Sequence, residues 1–364
     1  MITLSKKELV SALSKCSKVL PKRPSLGFLK GINVVCKDGV CKFVATDLEN
    51  EITIKLNRAT FDNDISFVLM DIASLSKAIK LFGEVITFEQ VDNSIVVSSG
   101  SKSIKVKCLD SKDYPDYNLL GEFKVNSQFK VNGKELCELC NKVAYAVSKE
   151  LERPVLTTVC FRKNYVTATN GFIISKVDNN FFECEKDLLF SDRAVKLFEL
   201  IGNGDLYIGV YNSSDLKYCL EDENISLKGI LLSGNFPDVE CVIPKNIYNF
   251  TKYTINRGEF IDALDSMIKI KAHCVKLSGN KIIAQKLERE NDMELPDYEI
   301  EIANLNVEQA FAFNPKFVYD ALKNQFTSDE VLFEVNKPNQ AFVITEIGDS
   351  EKDGLFVCMP IHLG

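Results

Sequence analysis

A pattern that returns near the same point of successive thirds limits what this chain can fold into. Tyr114-Pro115-Asp116-Tyr117 is answered by Phe236-Pro237-Asp238-Val239, and the last third ends in Met359-Pro360-Ile361-His362-Leu363. The prolines step by 122 and then 123 residues. A period of that length is too long for a short-repeat solenoid and predicts three copies of one domain. Other landmarks keep the beat. Glu8-Leu9, Glu135-Leu136 and Glu259-Phe260 step by 127 and 124, and Ala45-Thr46-Asp47 meets Ala168-Thr169-Asn170 after 123. Asp71, Asp192 and Asn314, each a favourable helix N-cap, precede apolar runs at steps of 121 and 122. The expected domains are residues 1–122, 123–246 and 247–364, with linkers near 121–125 and 244–249.

Each third opens on a short predicted strand, at 2–4, 128–131 and 253–255. A helix follows with apolar residues at 3–4 spacing, as in Leu9, Leu13, Cys16 and Leu20. Alternating strands at 31–35, 40–44 and 51–56 then put every second side chain on a core face. A second helix spans 72–82 before Gly83, with counterparts at 194–201 and 315–326, and strands at 85–90, 94–98 and 103–109 close the first unit. The fold class is α+β, with two helices packed on one side of antiparallel sheet in each third. Three such units leave an unpaired sheet edge at each end of the chain. Joining the edge of the first third to that of the last third on a second copy predicts a head-to-tail dimer of six domains. Ile104 and Val106, on the final strand of the first third, and Met267 and Ile268, near the first helix of the last, are the expected contacts.

With 46% hydrophobic residues and well-mixed charge, the chain reads as soluble and globular. No apolar run approaches the ~20 residues of a membrane span. Met1-Ile2-Thr3-Leu4 is followed at once by Ser5-Lys6-Lys7-Glu8, which is no secretory signal, so the expected compartment is the cytoplasm. The twelve cysteines are then expected to be reduced core thiols. Cys137-Glu138-Leu139-Cys140 has metal-like spacing but no second pair, and His273 and His362 offer it no partner. Phosphate-loop, nucleophile-elbow and repeated metal-carboxylate motifs are all missing, which argues against an enzyme and implies no cofactor and no metal.

A formal charge of −7 argues against wrapping nucleic acid with the whole surface. Distribution matters more than the sum. Predicted helices carry Lys6, Lys7, Lys15, Lys18, Lys77, Lys80, Lys134, Lys142, Lys149, Arg193, Lys196, Lys269, Lys271, Lys316 and Lys323. Acidic residues crowd loops, as in Glu150, Glu152, Glu221-Asp222-Glu223 and 346–351. A ring with a basic lining and an acidic outside fits this pattern, as does a surface of evenly mixed charge.

The full length resembles the bacterial sliding-clamp family, the beta subunit of DNA polymerase III. The resemblance rests on Arg23-Pro24-Ser25-Leu26, Ala45-Thr46-Asp47, Arg153-Pro154-Val155-Leu156-Thr157, Ala168-Thr169-Asn170-Gly171, Gly234-Asn235-Phe236-Pro237-Asp238 and the terminal Met359-Pro360 segment, in their order and spacing. It implies a non-catalytic homodimeric ring threaded by duplex DNA, with helices lining the hole. Partners would be the polymerase III alpha subunit, the clamp loader and other proteins with a clamp-binding motif. Lysine and arginine facing phosphates would supply attraction without base contacts.

By resemblance, Arg23, Lys149, Arg153 and Arg193 lie near the DNA path, and Ile104, Val106, Met267 and Ile268 lie at the subunit contact. A peptide-binding groove is expected from Leu156, Thr169, Gly171, Phe172, Ile174, Pro237, Val242, Asn314, Phe317, Val357, Met359 and Pro360. The chain departs from the family pattern at Phe172-Ile173, where His-Arg is common, and at Cys241 and His362, where Arg is common. Gly364 trails the final leucine. These changes remove cationic donors and make the groove more apolar. The competing reading is a monomeric three-domain adaptor that binds peptides without encircling DNA.

Overall fold

The structure is a computed structural model and describes residues 1–115, 124–211, 215–245, 250–287, 295–303, 305–347 and 354–363. Asp116 and Tyr117 of the first proline motif, most of both expected linkers, much of the acidic 346–351 stretch and Gly364 lie outside the described residues.

The first third runs β1 (Ile2–Ser5), α1 (Lys6–Val19), β2 (Ile32–Lys37), β3 (Val40–Thr46), β4 (Asn50–Leu56), β5 (Thr60–Phe61), β6 (Ile65–Leu69), α2 (Ile72–Ile79), β7 (Val85–Val91), β8 (Ser94–Ser99) and β9 (Lys102–Asp110). The second runs β10 (Lys124–Asn132), α3 (Gly133–Ala144), β11 (Thr158–Lys163), β12 (Tyr165–Thr169), β13 (Ile173–Asp178), β14 (Cys184–Ser191), α4 (Asp192–Leu197), β15 (Asn203–Tyr211), β16 (Asp215–Glu221) and β17 (Ile225–Ile230). The third runs β18 (Thr251–Asn256), α5 (Arg257–Lys269), β19 (Cys274–Gly279), β20 (Lys281–Gln285), β21 (Glu299–Glu301), β22 (Val307–Phe313), α6 (Pro315–Asn324), β23 (Glu330–Val335), β24 (Phe342–Glu346) and β25 (Leu355–Cys358).

The pairing scheme repeats as the sequence does. In the first third β6, β2, β3 and β4 lie side by side, and so do β1, β7, β8 and β9. The second third pairs β14, β11, β12 and β13, and β10, β15, β16 and β17. The third pairs β22, β19, β20 and β21, and β18, β23, β24 and β25. Every one of these pairs is antiparallel, which gives the α+β class expected from the alternation.

Packing divides the chain differently from the repeat. Residues 1–137 and 197–231 form one compact unit, and residues 138–196 and 232–364 a second. In the first unit, β17 of the middle repeat pairs with β4 (Ile225↔Ile54 through Gly229↔Asn50). In the second, β25 pairs with β13 (Ile173↔Cys358 through Lys176↔Leu355). An edge of one repeat is thus covered by the last strand of the next.

Local rules account for the helices. Leu9, Ala12, Leu13, Cys16 and Val19 form the buried stripe of α1; Leu20 is its C-cap and only half-buried, so Val19 closes the stripe that the spacing gave to Leu20. Asp71 caps α2 by accepting from the Ser74 N–H, and Asn314 caps α6 by accepting from the Lys316 N–H, with Pro315 at the first helical position. The third cap differs from expectation. Ser191 accepts from the Ala194 N–H at 3.1 Å, and Asp192 lies inside the first turn of α4, where its charge suits the helix dipole and pairs with Lys196. Lys124 and Val125 belong to β10, so that part of the expected linker is strand. Lys80 caps α2, and Lys149 and Lys271 lie beyond α3 and α5 rather than within them.

Eleven of the twelve cysteines are buried, including Cys137 and Cys140, as expected for core thiols; Cys241 is exposed. The core of the second unit centres on Phe342, fully buried with its ring 5.2 Å from Phe311, 5.5 Å from Phe313 and 5.8 Å from Phe333. Phe342→Ala removes this shared neighbour and leaves a cavity that three rings fixed on β22 and β23 cannot close. It should cost about 3–5 kcal/mol in chemical denaturation of the second unit. A loss below about 1 kcal/mol would show that the cluster re-packs.

Candidate functional site: a groove in the second unit

A turn builds one wall. Thr169 Oγ1 donates to the Ile173 carbonyl at 2.6 Å and accepts from the Gly171 N–H at 3.1 Å, while Asn170 Oδ1 accepts from the N–H groups of Phe172 (2.9 Å) and Ile173 (3.1 Å). Gly171 sits at φ +91°, a left-handed conformation that glycine adopts without a Cβ clash. The first repeat makes the same turn. There Thr46 Oγ1 donates to the Asn50 carbonyl at 2.8 Å, and Asp47 Oδ1 accepts from Glu49 (3.1 Å) and Asn50 (2.7 Å). The Ala-Thr-Asp/Asn landmark is therefore a turn signature. In the second repeat this turn holds Phe172 out to solvent, 62% exposed.

The loop with the central proline motif builds the facing wall. Arg162 pairs with Asp187, and its guanidinium donates to the carbonyls of Phe236 (3.1 Å) and Pro237 (3.2 Å). That salt bridge raises the Arg162 pKa further, so the clamp on the loop is a permanent cation. Asp238 then caps a short turn by accepting from the Glu240 N–H at 3.2 Å. Its carboxyl is held below the usual range, first by a hydrogen bond from the Cys241 thiol at 3.1 Å. Lys176 on β13 reaches Glu240 at 2.6 Å and lies over the Tyr165 ring, tying strand to loop.

The chain end supplies the third side. The Met359 N–H donates to the Phe172 carbonyl at 2.9 Å and the Ile361 N–H to the Ala312 carbonyl at 2.7 Å, so the final segment is held down beyond β25. Gln325, buried after α6, fixes β13 from behind. Its amide oxygen accepts from Tyr145 (2.8 Å) and Ser175 (2.7 Å), and its nitrogen donates to the Lys176 carbonyl (3.3 Å).

These walls enclose a cavity of about 240 Å³ lined mainly by apolar residues. Of the twelve residues expected there, Leu156, Thr169, Gly171, Phe172, Ile174, Pro237, Val242, Val357 and Met359 line it. Asn314, Phe317 and Pro360 do not. Asn314 is occupied as the cap of α6, and Phe317 acts one step back, its ring stacked on Phe172 at 6.4 Å. Ile173, Asp238, Val239 and Arg153 line it without having been expected. The floor residues Ile174, Val239 and Val357 are also the top of a buried cluster with Cys160, Tyr165, Leu189, Phe236 and Val343. A floor shared with a packed core is rigid, while Phe172, Val242 and Met359 are 62%, 56% and 45% exposed and free to seat a ligand. The cavity can take apolar side chains from a short segment, with Arg153 and Asp238 as its charged rim.

The other expected residues fall elsewhere. Arg23, Lys149 and Arg153 are exposed; Arg193 is half-buried and engaged. Several helix cations are neutralised, Lys18 by Glu199, Lys196 by Asp192, Lys269 by Asp265 and Lys316 by Asp320, and Lys6 and Lys15 donate to main-chain carbonyls. Val106 and Met267 are 3% and 0% exposed, so they pack inside their own units and cannot form an accessible contact surface in the free chain. Ile104 and Ile268 keep accessible surface.

Residues 1–119 match the family described as DNA polymerase III beta subunit, N-terminal domain. A beta sliding clamp of Staphylococcus aureus (strain Mu50) is 24% identical over 95% of this chain and 96% of its own length. The first third thus matches the DNA polymerase III beta subunit family, and nearly the full length is similar to beta sliding clamps. The Staphylococcus epidermidis beta sliding clamp is 25% identical over 94% of each chain. Among solved structures, the Thermotoga maritima beta subunit superposes with a TM-score of 0.82 at 22% identity over all of both chains. The Streptococcus pneumoniae beta chain reaches 0.83 at 19% over 99% of each, so the fold of this chain is that of the clamps. A Pseudomonas aeruginosa clamp solved bound to griselimycin reaches 0.79 at 18% over all of both chains.

Proposed function

We propose that two copies of this chain close into a ring around duplex DNA, acting as a sliding clamp. The ring tethers the replicative polymerase, the clamp loader and other partners through the apolar groove of the second unit. The chain has no catalytic role in this reading. It works in the cytoplasm, in keeping with the absence, among the described residues, of any helix long and apolar enough to cross a membrane.

The observation that carries the proposal is an unfinished series of strand pairings. The edge strand β4 is covered by β17, and β13 by β25. By the repeat, the third member of the series joins β21, which among the described residues pairs only with β20, to β9, whose residues 102–106 pair among the described residues only with β8. Among the described residues both of these edges are open, and two copies placed head to tail would cover all four. The expected contact runs along the β9 and β21 backbones, with Ile104 and Ile268 contributing accessible side chains nearby. Arg23, Lys149 and Arg153 remain the proposed DNA contacts. The neutralised helix cations weaken phosphate attraction, which favours sliding over tight sticking.

Light-scattering mass across a dilution series should give twice the chain mass. After loading by the clamp loader, the protein should stay on circular plasmid and leave once the plasmid is cut. A monomer at micromolar concentration would overturn the ring in favour of the adaptor.

A further inference from the structure

The solvent face of the sheet in the first unit forms a cleft of about 760 Å³. Its floor is a grid fixed by strand register. One row runs Lys55, Lys42, Val35, Ser66 across β4, β3, β2 and β6. The next runs Ser226, Thr53, Val44, Asn33 across β17, β4, β3 and β2. Beyond these, Glu51 faces Lys228, and Glu221 faces Ser226. Ser111, Lys112, Tyr114 and Pro115 form a wall anchored by the Ser111 hydroxyl on Asn33 Oδ1 at 2.7 Å and by the buried Tyr114, whose hydroxyl accepts from the Thr46 N–H at 3.1 Å.

Lys42 and Lys55 are direct cross-strand partners, and like charges placed so oppose folding. Neither ammonium has an ion-pair or hydrogen-bond partner among the described residues. Lys112 and Lys228 add two more cations, against the carboxylates of Glu51 and Glu221 at the far side. A lysine pair uncompensated among the described residues, in a cleft with hydroxyls beside it, is an arrangement an anion would stabilise.

We propose that this cleft binds a nucleoside polyphosphate. The phosphates would lie between Lys42 and Lys55, with the Ser66 and Thr53 hydroxyls as further donors. The nucleoside would lie against Val44 and Pro115, its sugar hydroxyls or amino group directed to Glu221. The volume suits such a ligand, since small-molecule sites span roughly 300–1,000 Å³. A free phosphate group alone would use only the lysine end. The cleft is separate from the peptide groove, and the proposal does not depend on the clamp reading.

The test is calorimetric titration of the full chain in phosphate-free buffer with ATP, inorganic pyrophosphate and adenosine, repeated with Lys42→Gln/Lys55→Gln. ATP and pyrophosphate should both bind the natural chain, ATP more tightly, and adenosine should bind far more weakly. The double variant should lose at least about tenfold in affinity for ATP. Its melting temperature without ligand should equal or exceed that of the natural chain, because the repulsion is gone, so lost binding cannot be blamed on unfolding. Unchanged ATP binding in the variant, adenosine binding as well as ATP, or no binding of either phosphate would overturn the proposal. So would preference for polyaspartate or a single-stranded oligonucleotide over ATP.

Discussion

Lys105→Pro should turn the proposed dimer into a monomer while leaving the first unit folded. The hairpin of β8 and β9 is closed by the two-residue loop Gly100-Ser101, with Ser99 opposite Lys102. In such a hairpin the closing pair is hydrogen-bonded, and alternation leaves the N–H and C=O of residues 103, 105 and 107 pointing away from β8. The Met70 N–H donates to the Lys107 carbonyl at 3.0 Å, which confirms that this side of residue 107 faces away from β8. Proline at 105 therefore removes an outward donor from the free edge without breaking a bond to β8. If β21 of a second copy pairs there, the lost hydrogen bond and the ring's bulk should weaken association roughly 100-fold or more. Lys105→Ala keeps the backbone and should keep the dimer. The readout is mass on dilution, with circular dichroism as the folding control. A proline variant that stays dimeric at the dilution where the natural chain does would remove β9 from the interface.

That edge also shows what the sequence could and could not reveal. Alternation in 103–109 identifies a strand with one apolar face, and Ile104 and Val106 on it are expected at the edge that meets the partner. The face of Ile104, Val106 and Cys108 instead turns into the first unit, with Val106 and Cys108 buried. Pairing at an edge is a property of backbone groups, which carry no residue-type signal, so an apolar face and a docking edge cannot be told apart in the sequence. Met267 fails for the same reason on a helix: an apolar stripe reports burial, and its own core satisfies it first.

The groove was legible where local chemistry builds it and illegible where distant residues hold it. Thr169-Asn170-Gly171 announces a turn because each residue has a local hydrogen-bonding or φ requirement, and the repeat at Thr46-Asp47 doubles the signal. The Arg162–Asp187 pair that pins the central proline loop joins β11 to β14 and then crosses to residues 236 and 237. No spacing rule links those positions. Arg153 illustrates a different limit. An exposed arginine beside a proline suits a phosphate or a peptide rim equally well, and its place on the cavity wall adds a rim position to its proposed DNA contact.

Phe172→Ala combined with Met359→Ala should abolish partner binding without touching assembly. Both side chains are held out over an apolar floor by main-chain bonds that the substitutions leave in place: the Asn170 cap of the turn and the Met359–Phe172 bond. Folding gains little from either, since they are 62% and 45% exposed, so stability should change by less than about 1 kcal/mol. Binding depends on them far more. A ligand side chain entering a cavity of about 240 Å³ desolvates both, and side chains at the centre of such a site contribute about 2 kcal/mol or more each. Two such losses predict a fall of roughly 100-fold or more for a peptide carrying the clamp-binding segment of the cognate polymerase. Phe172 alone should account for much of it, because removing its ring also strips the stacked partner from Phe317 and lets that wall relax. Fluorescence anisotropy on labelled peptide measures the loss, and dimer mass should be unchanged. Normal peptide affinity in the double variant would place the partner site elsewhere.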